Sequence, residues 1–313
     1  MAVAFIFPGQ GSQQVGMGQA LAETYREARA VFDEVDEALG EKLSDIIWRG
    51  PDDRLTLTAN AQPALMAVSL AVVRVLEAKG VKTVEAVRYV AGHSLGEYSA
   101  LAAAGALTIA DTARLVRLRG SAMQTAVPVG EGAMAALIGL DFAAAVEIAA
   151  AAAKGEVCQA ANDNAPGQVV VSGARGAVQR AIEIAADWGA RRALLLPVSA
   201  PFHCALMAPA ADAMAEALAG TEIRPAAVPV VCNVTARPIT APEDIRKRLV
   251  EQVTRTVRWR ESVTFMAQNG IDTLYELGAG KVLTGLAKRI DRALTATAIG
   301  TPDEIEAHAA DLA

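Results

Sequence analysis

Val87-Arg-Tyr-Val-Ala-Gly-His-Ser-Leu-Gly-Glu-Tyr-Ser-Ala-Leu-Ala-Ala-Ala104 runs from an apolar, extended-looking segment into an alanine-rich one that favours helix. Between the two lies Gly92-His-Ser-Leu-Gly96, a G-x-S-x-G pattern. With a strand (Val87 to Ala91) leading in and a helix (Glu97 to Ala104) leading out, the pattern predicts a nucleophile elbow. This is a strained turn that holds a serine Oγ above the edge of a sheet. Glycines fit there because side chains flanking the serine would collide in so tight a turn. The bland reading is a chance match, and the two flanks weigh against it. Ser94 is therefore a candidate nucleophile, and such a serine needs a neighbouring base.

Three histidines are available. His93 adjoins the serine, and neighbours on a tight turn point in different directions. His308 lies in an acidic, alanine-rich tail. His203 sits in Pro197-Val-Ser-Ala-Pro-Phe-His-Cys-Ala-Leu206, where prolines 197 and 201 hold the chain extended ahead of a helical run from Ala205 to Ala219. A lone histidine is usually an ordinary core or surface residue; here elimination makes His203 the candidate base.

Composition excludes several classes. The 313 residues are 53% hydrophobic but only 4% aromatic, so the core is aliphatic, and there is room for one large core or two domains. A net charge of −6 argues against a nucleic-acid partner, which needs a basic face. No uninterrupted apolar run suggests a membrane span. The start, Ala2 to Phe7, is too short for a signal peptide and lacks a basic leader. Cys158, Cys204 and Cys232 show neither C-x-x-C spacing nor an even count, so no zinc site or disulfide framework is expected, and a reducing cytoplasm is the natural compartment. Cys204, beside His203, is expected to pack rather than react.

Strand-like runs at Val3–Phe7, Val228–Val234, Thr273–Leu277 and Ala296–Ile299 alternate with helical stretches such as Ala61–Lys79 and Thr108–Ala126. The alternation predicts an α/β fold, a mainly parallel sheet with helices on both faces. One segment breaks the rhythm. Residues 132–199 read as strand 133–140, helix 142–154, strand 157–161, strand 168–172, helix 174–188 and strand 192–198. This βαββαβ order is ferredoxin-like, and Asn162-Asp-Asn-Ala-Pro-Gly167 is its turn-rich hairpin link. Residues 131–199 are thus expected as a small domain inserted into a large one built from 1–130 and 200–313. Ser94 and His203 would meet at the interdomain cleft.

Other residues invite chemistry. The loop Pro8-Gly-Gln-Gly-Ser-Gln13 has neither G-x-G-x-x-G nor P-loop spacing. It is a flexible turn, or else it lies beside the elbow and supplies oxyanion donors such as the Gln10 side chain, with the Leu95 main-chain N–H as the second. Arg114, Arg117 and Arg119 lie within two helical turns. One of them, turned into a cleft, would bind a substrate carboxylate through two parallel hydrogen bonds, and the sequence does not choose among them. Lys281, Lys288, Arg289 and Arg292, with Arg191 and Arg192, are solvated faces or a site for an acidic partner or phosphorylated cofactor.

Taken together, Phe7-Pro-Gly-Gln-Gly-Ser12, Gly92-His-Ser-Leu-Gly-Glu-Tyr-Ser-Ala-Leu101, Gly167-Gln-Val-Val-Val-Ser-Gly173, Pro197-Val-Ser-Ala-Pro-Phe-His-Cys-Ala-Leu-Met207 and Glu276-Leu-Gly-Ala-Gly-Lys-Val-Leu-Thr-Gly285 resemble one family, in order, from about residue 3 to about 300. It is that of the malonyl-CoA:acyl carrier protein transacylases of bacterial type II fatty acid synthesis. The resemblance implies a hydrolase-like parallel-sheet domain with an inserted ferredoxin-like domain. It implies Ser94 as nucleophile, His203 as base, Gln10 and the Leu95 amide as oxyanion donors, and Arg119 as the carboxylate-binding arginine. A backbone carbonyl near Gln252 orients the histidine in place of an acid. Asn162 and Asn164 fall near the cleft without an assigned role. Phe202 departs from the small polar residue common in stand-alone members. In polyketide acyltransferases a Phe there goes with malonyl rather than methylmalonyl units, and Leu95 points the same way. No tightly bound cofactor is implied: malonyl-CoA is substrate and CoA product, with an acidic acyl carrier protein as transient partner. Competing readings are a serine hydrolase or thioesterase, in which water takes the acyl group, and an idle carrier-binding module.

Overall fold

A computed structural model describes residues 2–313. Ten strands run through the described residues: β1 (Val3–Phe7), β2 (Tyr89–Gly92), β3 (Gly132–Ile138), β4 (Cys158–Ala165), β5 (Gln168–Ala174), β6 (Arg192–Leu195), β7 (Val230–Val231), β8 (Pro238–Ile239), β9 (Thr273–Leu277) and β10 (Thr295–Ile299). They form two sheets. The larger has the order β10-β9-β1-β2-β7-β8 and is parallel except for its edge pair β7–β8. The smaller, β4-β5-β3-β6, is antiparallel throughout, the ferredoxin-like order.

β1 shows why the large sheet forms. All five residues of Val-Ala-Phe-Ile-Phe are buried, as a central parallel strand covered on both faces requires. Val3, Phe5 and Phe7 enter one apolar cluster, while Ala4 and Ile6 enter another on the opposite face. The small sheet divides its residues likewise. Ala133, Ala135 and Leu137 pack under the helices Phe142–Ala153 and Arg175–Asp187, while Met134 and Val170 face the main core. Two further links tie β4 to the large part. Asp163 N–H donates to Val257 O at 2.9 Å, and the Asp163 carboxylate pairs with Arg260 at 2.7 Å. Burial raises the Asp163 pKa and the guanidinium lowers it.

Several expected boundaries move, each for a stated reason. Asn162, Asp163 and Asn164 belong to β4 rather than to a loop, and the link shrinks to Pro166-Gly167. Two register shifts in β4 let these polar residues bridge to Val257 and Arg260. The expected strand 228–234 shortens to β7, because the chain turns at Asn233 and sends that side chain elsewhere. β6 ends at Leu195 ahead of Pro197, which has no N–H to donate. The helix expected from Ala205 begins as a 3-10 turn, Ala205–Met207, before the α-helix Ala208–Ala219. Thr58–Ala78 is long and apolar enough on average to cross a membrane, although Asn60, Gln62, Ser69, Arg74 and Glu77 interrupt its apolar run, in line with the sequence reading. It runs through the core, with 89% of its most apolar window buried inside the protein.

Candidate active site

β1 and β2 pair in parallel so that Phe7 stands beside Gly92, and both strands end at the same rim. The chain then turns through Ser94, whose φ of 54° lies in the left-handed region that few side chains adopt. Such a residue costs of order 1–3 kcal/mol, which the surrounding packing must offset. The flanking glycines make the turn feasible. A Cβ on Gly92 would lie 1.9 Å from Gly96 O, and one on Gly96 would lie 2.3 Å from Phe7 O. The helix Gly96–Ala103 follows at once. The loop after β1 also lies against the elbow, where a Cβ on Gly9 would meet His93 O at 2.7 Å.

His203 is buried in a turn, also at positive φ (59°). Its Nε2 lies 2.8 Å from Ser94 Oγ, and its Nδ1 lies 2.9 Å from the main-chain oxygen of Gln252. A carbonyl only accepts, so the ring proton sits on Nδ1 and leaves Nε2 free to accept from the serine hydroxyl. Burial, reinforced by the charge of Arg119, holds the imidazole down to about 3, so it is neutral near pH 7. The other histidines are elsewhere. His93 Nε2 meets Asn164 Oδ1 at 2.8 Å, and His308 lies beside the Tyr275 ring.

Of the three arginines, Arg119 is the one turned inward. It is 1% exposed on the helix Ile109–Thr125. Its Nη1 donates to Gln62 Oε1 (2.8 Å), and its Nη2 to Gln252 Oε1 (2.9 Å) and Ser94 Oγ (3.0 Å). The guanidinium carbon stands 5.7 Å from the Tyr98 ring centre, a cation–π contact. All these partners are formally neutral, and Nε has none among the described residues. Burial lowers the Arg119 pKa, and Tyr98 and Glu97 raise it in turn. Arg114 pairs with Asp111 at the surface; Arg117 reaches Asn60 and Glu41.

Gln10 lines the same cleft, but its carboxamide donates to Thr58 Oγ1 at 3.2 Å. The main-chain amides of Gln10 and Leu95 donate to no group among the described residues. Phe202, Asn162 and Asn164 line the cleft beside Ser94, His203 and Arg119, and Met134 and Val170 close it from the small sheet. Its volume is about 490 Å³. Cys204 is buried with its thiol aimed at Pro201 O (3.1 Å), and burial pushes its pKa up, away from a reactive thiolate. Lys281, Lys288, Arg289, Arg292, Arg191 and Arg192 are exposed, and Arg289 also reaches Gln168 at 3.0 Å.

Three side chains contribute in ways the sequence reading did not assign. Asn233 Oδ1 accepts the Ser94 N–H at 2.8 Å, and its Nδ2 donates to Gly92 O at 2.7 Å, so one carboxamide holds both ends of the turn. The Gln252 side chain donates to Ser94 O (3.0 Å) and to Glu97 Oε2 (2.9 Å). Glu97 itself is wholly buried.

Known proteins resemble this chain over nearly its whole length. The model of the acyl transferase domain family matches residues 4–300. The malonyl CoA-acyl carrier protein transacylase of Escherichia coli is 49% identical, covering 97% of each chain. The crystal structure of an acyl-carrier-protein-S-malonyltransferase from Bartonella henselae superposes with a TM-score of 0.98 at 58% identity, covering 100% of this chain and 99% of that one. A malonyl-transacylase in complex with a type II polyketide synthase acyl-carrier protein superposes at 0.96 with 43% identity, covering 99% and 100%. With the elbow serine, the buried imidazole and a match over nearly its whole length, the chain belongs to the acyl transferase domain family.

Proposed function

We propose that this chain transfers the malonyl group of malonyl-CoA to the phosphopantetheine thiol of an acyl carrier protein through a malonyl ester on Ser94. The names of its relatives support the substrate pair. One observation carries the choice of acyl group: Arg119 Nη2 stands 3.0 Å from Ser94 Oγ. Once Ser94 is acylated, a carboxylate two carbons beyond the ester oxygen falls within reach of that guanidinium.

Both half-reactions follow from the same groups. Ser94 Oγ attacks the thioester carbonyl as its proton passes to His203 Nε2, and the Nδ1–H bond to Gln252 O steadies the imidazolium. The developing oxyanion takes hydrogen bonds from the main-chain amides of Leu95 and Gln10; the Gln10 carboxamide is already engaged by Thr58. CoA leaves with the proton from His203. The carrier thiol then gives its proton to the same nitrogen, attacks the ester and frees Ser94. Protein groups hold every proton and charge in this sequence, so the reading calls for no tightly bound cofactor. Residues 131–199 act as an inserted domain forming one wall of the cleft, with 1–130 and 200–313 forming the other. The cytoplasm is the proposed compartment, one in which the three unpaired cysteines stay reduced.

The test is mass spectrometry after mixing with malonyl-CoA, then with holo carrier protein. A single malonyl adduct on the Ser94 peptide, discharged by the carrier, is the expected result. Discharge to water as fast as to the carrier would mark a hydrolase instead.

Arg119→Ala should lower kcat/KM for malonyl-CoA while sparing acetyl-CoA, which has no carboxylate to leave unpaired. Losing one partner of a desolvated, hydrogen-bonded charge pair costs roughly 2–5 kcal/mol, or about 30- to several-thousand-fold. An unchanged malonyl-to-acetyl ratio would mean that the carboxylate is held elsewhere.

Phe202 is 8% exposed and lines the cleft directly before the base. Its ring should crowd a methyl branch at the acyl α-carbon, a discrimination worth about 1–3 kcal/mol. Phe202→Ser is expected to relax a preference for malonyl over methylmalonyl while changing malonyl transfer little. Competition between the two CoA esters reads this directly, and an intact preference would show that the ring packs away from the acyl group.

A further inference from the structure

Glu97 is a buried carboxylate behind the serine that the proposed reaction leaves unused. It follows the elbow on the helix Gly96–Ala103 and is 0% exposed. Its Oε2 accepts from the Asn233 main-chain N–H (2.9 Å) and from Gln252 Nε2 (2.9 Å), and its Oε1 has no partner among the described residues. The Gln252 carboxamide is oriented by these acceptors. Its NH2 faces Glu97 Oε2, Ser94 O and Asn233 Oδ1, which leaves its oxygen to accept from Arg119. One carboxamide therefore joins the buried carboxylate to the buried guanidinium. Every hydrogen-bond partner of Arg119 is itself neutral, so Glu97 is the nearby anion that can balance it.

We propose that Glu97 is a positioning residue: it is the resident counter-charge of Arg119, fixes Gln252 in the orientation the arginine needs, and takes up a proton when a substrate carboxylate reaches Arg119. This rests on the malonyl-transfer reading given above. Two anions beside one buried guanidinium repel each other, and neutralising one removes that cost. Glu97 is the group placed to do so. Burial pushes its pKa up to about 7, against the hydrogen bonds from Asn233 and Gln252 and the charge of Arg119. The other titratable groups facing this cluster stay fixed near neutrality. Burial pushes Tyr98 on the same helix up to about 12 and raises the Cys232 thiol beyond β7, while His203 is held near 3. A substrate carboxylate on Arg119 cancels the charge that lowers the Glu97 pKa, so the carboxyl takes a proton from water.

The sign follows. Above about pH 7 Glu97 is ionised and competes with the substrate for Arg119, so the KM for malonyl-CoA should rise between pH 6 and pH 8. A rise on the order of five- to tenfold is expected, at the low end of typical coupling between two linked sites. The KM for acetyl-CoA should not follow it. Glu97→Gln keeps an oxygen for Asn233 and Gln252 but cannot ionise, and its malonyl KM should be flat over the same range. Independently, in weak buffer near pH 7, the unmodified protein should take up protons on malonylation, beyond any change seen with acetyl-CoA. A KM slope that survives in Glu97→Gln, or malonylation of the parent with no such uptake, overturns the inference and leaves the transfer reading intact. Absence of any adduct on Ser94 overturns the transfer reading itself.

Discussion

Ser94→Ala is expected to abolish the covalent malonyl intermediate and, with it, transfer to the carrier. Ser94 Oγ is the hydroxyl that lies 2.8 Å from the imidazole and 3.0 Å from the guanidinium, and nothing else in the cleft occupies that position. Cys204, the thiol next to the base in the chain, is buried and engaged by Pro201 O, with its pKa raised. The substitution should leave the fold in place. The elbow is held through the main-chain N–H and C=O of residue 94 and through Gly92, none of which the change removes. Arg119 Nη2 keeps Gln252 as a partner when the hydroxyl is gone. Intact-mass analysis after exposure to malonyl-CoA decides the matter, with a melting curve to verify folding. A stoichiometric adduct on the variant, at Cys204 or elsewhere, would remove Ser94 from the reaction.

What could be read in the sequence divides along physical lines. β1 was legible because a central parallel strand is buried on both faces and so appears as an unbroken apolar run. The elbow was legible because its geometry leaves no room for a Cβ at 92 or 96. Asn162, Asp163 and Asn164 read as turn residues because their usual use is local. Here they serve long-range partners, Val257, Arg260 and His93, that no local window contains. Arg119 illustrates the same limit. Helical spacing separates it from Arg114 and Arg117 without saying which face turns inward, and only the packing of Ile109–Thr125 against Gln62 and Gln252 decides. The carbonyl that holds His203 belongs to the main chain, which every residue possesses, so the side chain of Gln252 gives no hint of it. Asn233 and Glu97 lie in stretches whose composition suits ordinary strand and helix, and their roles exist only because three segments converge behind the serine.

The imidazole carries the other large effect: His203→Ala should slow both acylation and deacylation, by about 10²–10⁴-fold if only general acid–base assistance is lost. The upper part of that range is favoured here, since one nitrogen takes the serine proton, returns it to CoA, takes the carrier's proton and returns it to Ser94. No second base can substitute, because His93 is bonded to Asn164 and Glu97 has no direct bond to Ser94 Oγ. The lost activity should also resist recovery between pH 6 and pH 8. His203 is held down near 3 and is neutral throughout that window, so its removal deletes a pH-independent contribution rather than shifting a titration. A structural cost accompanies the change. The Gln252 oxygen loses the Nδ1–H donor in a buried place, worth roughly 1–3 kcal/mol if nothing replaces it. A lowered melting temperature is therefore expected, and rates must be taken well below it. Single-turnover measurements of malonylation and of discharge to the carrier separate the two steps. A loss of less than tenfold in both would show that the proton leaves Ser94 by another route, and a loss in only one would break the symmetry that a single shared base requires.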